Sequence, residues 1–173
     1  MDKIILVLGG ARSGKSAYAL KLAKKYKQVA FIATCQALDK EMEERIKLHK
    51  EARPKHWQTF EEPLDLDLLL NKMAIGFDCI IIDCLTLLVS NLLLAGGNQK
   101  TIEGKIEQIL VSLENRKGNV IIVSNEVGLG IVPEHKLGRE FRDIAGKVNQ
   151  IAASKADKVL FMVAGLPVNI KGK

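Results

Sequence analysis

The sequence predicts an α/β fold, a mostly parallel central sheet flanked by helices with a short antiparallel strand at its end, on three observations. Short β-branched apolar runs alternate with segments of helical period, the pattern of successive βαβ units. The first run, Ile4 to Leu8, delivers a glycine-rich turn, GGARSGKS (Gly9 to Ser16), straight into helix-forming residues 17–23. A later run, Cys79 to Ile82, ends in a carboxylate, Asp83. At 173 residues the chain is expected to form one domain, 1–173, with a sizeable core.

The turn satisfies G-x-x-x-x-G-K-[ST] at Gly9, Gly14, Lys15 and Ser16, with a strand entering and a helix leaving, the setting a P-loop requires. Glycines at 9, 10 and 14 let the backbone turn left-handed and come close to a phosphate, so that N–H groups and the helix N-terminus face negative charge. Lys15 is expected at the β- and γ-phosphates, and Ser16 on Mg²⁺. The fold expected is therefore a P-loop NTPase, RecA-like, with nucleotide at the carboxyl edge of the sheet.

Along the chain, Gln28 to Ala33 reads as a second buried strand that delivers Thr34, Cys35 and Gln36 to that edge. Leu38 to Arg53 reads as a helix, acidic at its start and basic at its end, stopped by Pro54. Leu38, Met42, Ile46 and His49 fall on one stripe, so His49 is expected to face the body of the protein. Two readings of His49 stand: a core histidine or helix-terminal cation, and a nucleophile or acid/base that attacks phosphorus. Residues 55–63 follow as a short strand or loop holding His56, the only tryptophan, Trp57, and the carboxylates Glu61 and Glu62. Trp57 suits a packing anchor and a stacking surface equally.

Leu64 to Met73 is expected to be helical. Phe77 to Asp83 reads as a buried strand whose terminal carboxylate holds Mg²⁺ opposite Ser16. Leu85 to Leu94 reads as an apolar helix or a partner-facing surface, ended by Gly96-Gly97-Asn98, and Thr101 to Lys117 as an amphipathic helix. Asn119 to Ser124 is a further strand, leading into an ordered loop, Asn125 to Pro133, of the kind that carries function. A long helix over 137–155, a strand over 158–163 and a last antiparallel strand over 168–171 complete the chain.

Composition excludes several classes. Apolar residues make up 47% and charged residues 27%, and no apolar run reaches a spanning length, so no membrane insertion is expected. The chain starts a strand almost at once, leaving no room for a signal peptide, and a cytoplasmic location is expected. Cys35, Cys79 and Cys84 form neither a CxxC pair nor an even framework and read as reduced thiols. The net charge of +6 is spread among carboxylates without aromatic interleaving, which argues against nucleic acid and suits an anionic substrate.

Taken together, GGARSGKS, Ile32-Ala33-Thr34, the segment from Glu41 to Arg53 with His49 and Pro54, Asp83, the block Asn125 to Pro133 and the block Phe141 to Gln150 resemble the adenosylcobinamide kinase/adenosylcobinamide-phosphate guanylyltransferase family of cobalamin biosynthesis. The P-loop is widely shared, whereas the last two blocks are far more specific. The resemblance implies phosphorylation of adenosylcobinamide by a nucleoside triphosphate, GTP or ATP. It also implies transfer of GMP from GTP to adenosylcobinamide phosphate through a GMP-histidine intermediate. It places that histidine at His49, with His56 as the alternative. It places nucleotide contacts at Gly9, Gly10, Ala11, Arg12, Ser13, Gly14, Lys15 and Ser16, at Ala33, Thr34 and Cys35, at Lys50, Glu51, Ala52 and Arg53, and at Glu61 and Asp83. Cys35 stands where serine is expected. A homotrimer is implied as well, with the helix over 85–94 as a candidate contact. Two other classes satisfy the P-loop alone: a small-molecule kinase without guanylyl transfer, and a RecA-like regulatory ATPase module.

Overall fold

The computed structural model describes residues 3–36, 40–51, 53–73 and 76–172, without the side chains of Glu41, Met42, Arg45, Leu48 and His49. Its strands are β1 (Ile4–Gly9), β2 (Val29–Ala33), β3 (Gln58–Glu61), β4 (Cys79–Asp83), β5 (Asn119–Asn125), β6 (Lys158–Val163) and β7 (Leu166–Lys171). Its helices are α1 (Lys15–Ala23), α2 (Lys40–Glu51), α3 (Leu66–Lys72), α4 (Leu85–Leu94), α5 (Gln99–Asn115) and α6 (Lys136–Lys155). The strands form one sheet in the order β3-β2-β4-β5-β1-β6-β7, parallel except for the β6–β7 pair. This is the expected P-loop NTPase architecture, and β5 lies between the P-loop strand and the Asp83 strand.

Both faces of the central strands are apolar, as a parallel sheet covered on both sides requires. On one face Ile4, Leu6, Ile32, Ile80, Ile82 and Ile122 meet α3, α4, α5 and α6. On the other, Ile5, Val7, Phe31, Ile81 and Val123 meet Ala19 and Ala23 of α1 and the indole of Trp57. The alternation of side chains along each strand therefore assigns every carboxyl-end residue to a face. Asp157 secures the start of β1 by accepting the Lys3 and Ile4 backbone N–H groups, each at 2.8 Å.

Several element ends differ from expectation, each for a local reason. Helix α5 begins at Gln99, not Thr101, because Asn98 and Thr101 form a reciprocal capping box. It stops at Asn115 because Arg116 adopts an extended backbone. Helix α3 begins only at Leu66, since the Glu62 carboxylate takes the N–H groups of Leu64 and Asp65. Strand β7 begins two residues early: Ala164 (φ 50°) and Gly165 (φ 83°) make a two-residue turn, so pairing resumes at once between Val163 and Leu166. Pro167 is accommodated because β7 is an edge strand. Of residues 55–63, expected to be a short strand or loop, 58–61 form an edge strand paired with β2. Helix α2 is described from Lys40; Leu38 and Asp39 lie outside the described residues, as does the side chain of Met42, so the expected stripe over α2 does too. The apolar side of α4 is core, with Leu85, Leu88 and Val89 fully buried; Leu94 alone of its leucines is well exposed.

Candidate nucleotide site

The glycine-rich turn has the backbone its sequence demands. Gly9 (φ 150°) and Gly14 (φ 94°) use conformations that L side chains rarely adopt, and Arg12 (φ 57°) is left-handed between them. A β-carbon at Gly9 would lie 2.7 Å from both the Met162 carbonyl oxygen and Ser13 Oγ, so the turn has no room for one. Helix α1 has Gly14 as its N-cap, with neither a side-chain cap nor an acidic residue in its first turn. Its first N–H groups are thus left to an external anion. The Lys15 side chain is buried and its ammonium donates to the Gly10 carbonyl at 2.5 Å, inside the turn. Ser13 Oγ is buried without a hydrogen-bond partner among the described residues.

Register then brings the carboxyl ends of five strands together. Glu61 is level with Ala33, Ala33 with Asp83, and Asp83 with Val123. Val123 is in turn level with Val7, two residues before Gly9. By alternation Glu61, Ala33, Asp83 and Val7 share the face that α1 covers. Two strand spacings, roughly 10 Å, separate the columns of Asp83 and the P-loop, with β5 between. The thiol of Cys84 reports the local field: burial first, then the Asp83 charge, push it up to about 12, while Lys15 pulls the other way.

The end of α2 closes one side. Lys50 pairs with Glu61 at 2.5 Å, and the Arg53 guanidinium lies over the Phe31 ring at 3.6 Å. Burial pushes the Arg53 pKa below the usual arginine value, against the opposing pull of Asp83 and Glu61. Its Nε and Nη1 are buried and have no hydrogen-bond partner among the described residues. Arg53 also lines a cavity of about 390 Å³ with Lys50, Trp57 and Thr59. Trp57 is buried in this wall, and His56 beside it is exposed, edge-on to the indole.

The remaining expected contacts are placed as follows. Thr34 is fully buried; its hydroxyl donates to the Cys84 carbonyl at 2.7 Å and accepts the Cys84 N–H at 2.8 Å. Its N–H donates to Asp83, and its carbonyl accepts the Asn91 amide. The polar groups of Thr34 thus tie the end of β2 to the end of β4 and to α4. Cys35 is partly exposed beyond it. Glu51 is exposed at the end of α2. His49 lies within α2, its side chain outside the described residues, and Ala52 lies outside them altogether. Sequence reasoning missed the stacking of Arg53 on Phe31 and the support of the P-loop by the β6–β7 turn; only the dipeptide Ala164-Gly165 hinted at the latter.

Fold and site define a P-loop nucleotide-binding enzyme in which the phosphate cradle and the acidic strand end share one face. The family profile described as cobinamide kinase / cobinamide phosphate guanyltransferase matches residues 5–170. The chain is 44% identical over 180 residues to the bifunctional adenosylcobalamin biosynthesis protein CobU of Salmonella typhimurium, covering 97% of this chain and 99% of that one. It is 47% identical to the bifunctional adenosylcobalamin biosynthesis protein CobP of Pseudomonas aeruginosa over 169 residues, covering 97% of each. With CobU of Escherichia coli it shares 42% identity over 180 residues, covering 97% of this chain and 99% of that one. The chain belongs to the cobinamide kinase/cobinamide phosphate guanylyltransferase family, whose members are bifunctional enzymes of adenosylcobalamin biosynthesis.

Proposed function

We propose that the chain, as one catalytic domain over 1–173, phosphorylates adenosylcobinamide with GTP or ATP and transfers GMP from GTP to adenosylcobinamide phosphate through His49. The observation that carries this is the set of buried groups without a hydrogen-bond partner among the described residues, Ser13 Oγ in the glycine-rich turn and Arg53 Nε and Nη1 beside the Asp83 strand end. A bound triphosphate, rich in acceptor oxygens, supplies the partners these groups lack.

The residues present fit magnesium: Ser16 and Asp83 offer hard oxygen donors on neighbouring segments. Among the described residues no group of three His, Cys, Asp or Glu could hold an ion, so phosphate oxygens would complete its shell. Bound there, Mg²⁺ would neutralise charge on the triphosphate.

In guanylyl transfer a neutral His49 nitrogen attacks the α-phosphorus in line, forming a P–N bond as the bond to pyrophosphate breaks. A phosphate oxygen of adenosylcobinamide phosphate then attacks the same phosphorus, breaking the P–N bond and returning the imidazole. Lys15 stabilises the departing pyrophosphate in this reaction and the transferring γ-phosphoryl in the kinase reaction. The single cradle serves both phosphorus atoms if nucleotide or α2 is repositioned between steps.

A homotrimer in the cytoplasm, with neither nucleic acid nor membrane as partner, completes the reading. Apolar residues available to neighbouring subunits are Leu129 and Ile131, 80% and 95% exposed, and Leu166 and Ile170 on the edge strand β7. No helix among the described residues is long and apolar enough to cross a membrane.

Incubation with Mg²⁺ and GTP labelled at the α-phosphate, then denaturation, tests the central claim. Acid-labile, alkali-stable label absent only in His49→Ala supports it. Loss only in His56→Ala moves the nucleophile, and no label on a folded, GTP-binding protein leaves a kinase without guanylyl transfer.

A further inference from the structure

Two sequence blocks, Asn125 to Pro133 and Phe141 to Gln150, contribute nothing to the nucleotide contacts described above, yet the structure bonds one directly to the other. Ser124 and Asn125 end β5, the strand between the P-loop strand and the Asp83 strand. Ser124 faces away from α1 into a polar cluster with Thr86 of α4 and Asn149 of α6, all three more than nine-tenths buried. The Ser124 hydroxyl donates to Asn149 Oδ1 at 2.7 Å and shares a hydrogen bond with the Thr86 hydroxyl at 2.9 Å.

The same cluster grips the backbone of Asn125 from both sides. Thr86 Oγ1 accepts the Asn125 N–H at 2.6 Å, and Asn149 Nδ2 donates to the Asn125 carbonyl at 3.0 Å. One residue on, the Glu126 N–H donates to the Gly9 carbonyl at 3.0 Å, joining this strand end to the P-loop. A core that buries three polar side chains to fix one backbone position carries a cost that pure packing would avoid.

What is fixed there is the backbone from which the Asn125 side chain projects. Alternation puts it on the opposite face from Ser124, the face of Val123, Asp83 and α1. Register makes it level with Gly9, one strand spacing (roughly 4.8 Å) from the first residue of the cradle. The carboxamide is partly exposed and makes no hydrogen bond among the described residues. Lys15, whose ammonium rests on the Gly10 carbonyl, marks this end of the cradle as that of the β- and γ-phosphates.

We infer that Asn125 is a further catalytic residue: its carboxamide N–H donates to the terminal phosphoryl group of the bound nucleotide, and Thr86, Ser124 and Asn149 are positioning residues that hold it there. This rests on the reading that the P-loop binds the triphosphate. In the kinase reaction the γ-phosphoryl is the transferred group, so the donor acts on the charge that moves. In guanylyl transfer the γ-phosphate leaves within pyrophosphate, one phosphate removed from the bond that breaks, and the same donor matters less.

The test compares Asn125→Ala, Asn125→Asp, Ser124→Ala and Asn149→Leu with wild type in three readouts: phosphorylation of adenosylcobinamide, enzyme labelling from α-labelled GTP, and thermal unfolding. Asn125→Ala is expected to lower kinase kcat about 10²-fold, at least ten times further than labelling, at an unchanged midpoint of unfolding. Asn125→Asp falls further, because a carboxylate repels phosphate. Ser124→Ala and Asn149→Leu lower kinase kcat about tenfold with nucleotide KM little changed, measured below their unfolding transitions. An Asn125→Ala enzyme with wild-type kcat, or one whose labelling falls as far as its kinase activity, overturns the inference alone. A folded wild type that performs neither reaction overturns the reading beneath it.

Discussion

Gly165 donates its backbone N–H to the carbonyl oxygen of Ser13 at 3.1 Å, so the β6–β7 turn is bonded to the floor of the phosphate cradle. A β-carbon on Gly14 would lie 3.3 Å from Gly165 Cα, and one on Gly9 would strike the Met162 carbonyl. The C-terminal hairpin is therefore part of the scaffold of a motif at the other end of the chain.

A graded glycine series follows from this contact. At Gly165 an added β-carbon meets open space but φ is +83°, so Gly165→Ala is expected to cost about 1 kcal/mol and Gly165→Asn less, since asparagine tolerates that region better. Gly9→Ala combines a strained φ with 2.7 Å contacts and is expected to cost on the order of 3 kcal/mol and to abolish nucleotide binding. Thermal unfolding and nucleotide titration of the three variants check the order.

Lys15 separates catalysis from stability. Its ammonium is buried and bonded to the Gly10 carbonyl. Lys15→Met, of similar length and without charge, is expected to leave the unfolding midpoint near that of wild type while both reactions fall on the order of 10²- to 10³-fold. Calorimetry beside steady-state rates decides it, and a midpoint that collapses with the rates would show that the ammonium chiefly holds the turn.

The Arg53 guanidinium lies over the Phe31 ring, and two of its nitrogens have no hydrogen-bond partner among the described residues. Arg53→Met keeps apolar contact with that ring, so its stability is expected to change little. The nucleotide KM is expected to rise about tenfold, the equivalent of roughly 1.4 kcal/mol. Arg53→Lys recovers charge without the planar fork and falls between. An unchanged KM in Arg53→Met would remove Arg53 from the site.

The buried thiols give a pH signature. Burial pushes Cys79 up to about 12, and burial with the neighbouring Asp83 charge pushes Cys84 to the same value, against an ordinary 9.0. Between these limits the unfolded chain has lost thiol protons that the folded chain retains. The stability they contribute is thus complete below about pH 9 and declines as pH rises towards 12. At pH 8 a thiol reagent is expected to modify one cysteine, the partly exposed Cys35, in the native protein and three after unfolding. GTP is expected to slow the first reaction. Two fast thiols in the native state would contradict this burial.

The sequence disclosed the site unevenly. The P-loop and Asp83 are local patterns, a strand end followed at fixed spacing by particular residue types, and both were legible. The placement of β5 between them was not, because the order of parallel strands is set by long-range packing of helices and leaves no mark in any one segment. Asn98 shows a local misreading: after Gly96-Gly97 it looked like the end of α4, whereas its side chain caps α5. That Thr34 follows a strand at the ligand-binding edge was legible; that its hydroxyl serves the backbone of Cys84 was not, because it depends on the long-range pairing of β2 with β4. The bond from Asn149 to Asn125 joins two recognisable blocks, yet neither block names the other.

The register of β1 also governs when the phosphate cradle can be completed. Ile4 pairs with Val120 and Ile5 with Lys158, so β1 has both of its neighbours in the last third of these 173 residues and is translated well before either. The phosphate cradle is translated early and completed late: until β5 and β6 emerge, β1 has exposed edges and Gly9 lacks its partners at Asn125 and Met162. A nascent chain halted before β5 holds the whole P-loop sequence and none of its supporting sheet neighbours, so nucleotide binding is expected only once β5 and β6 have joined the sheet.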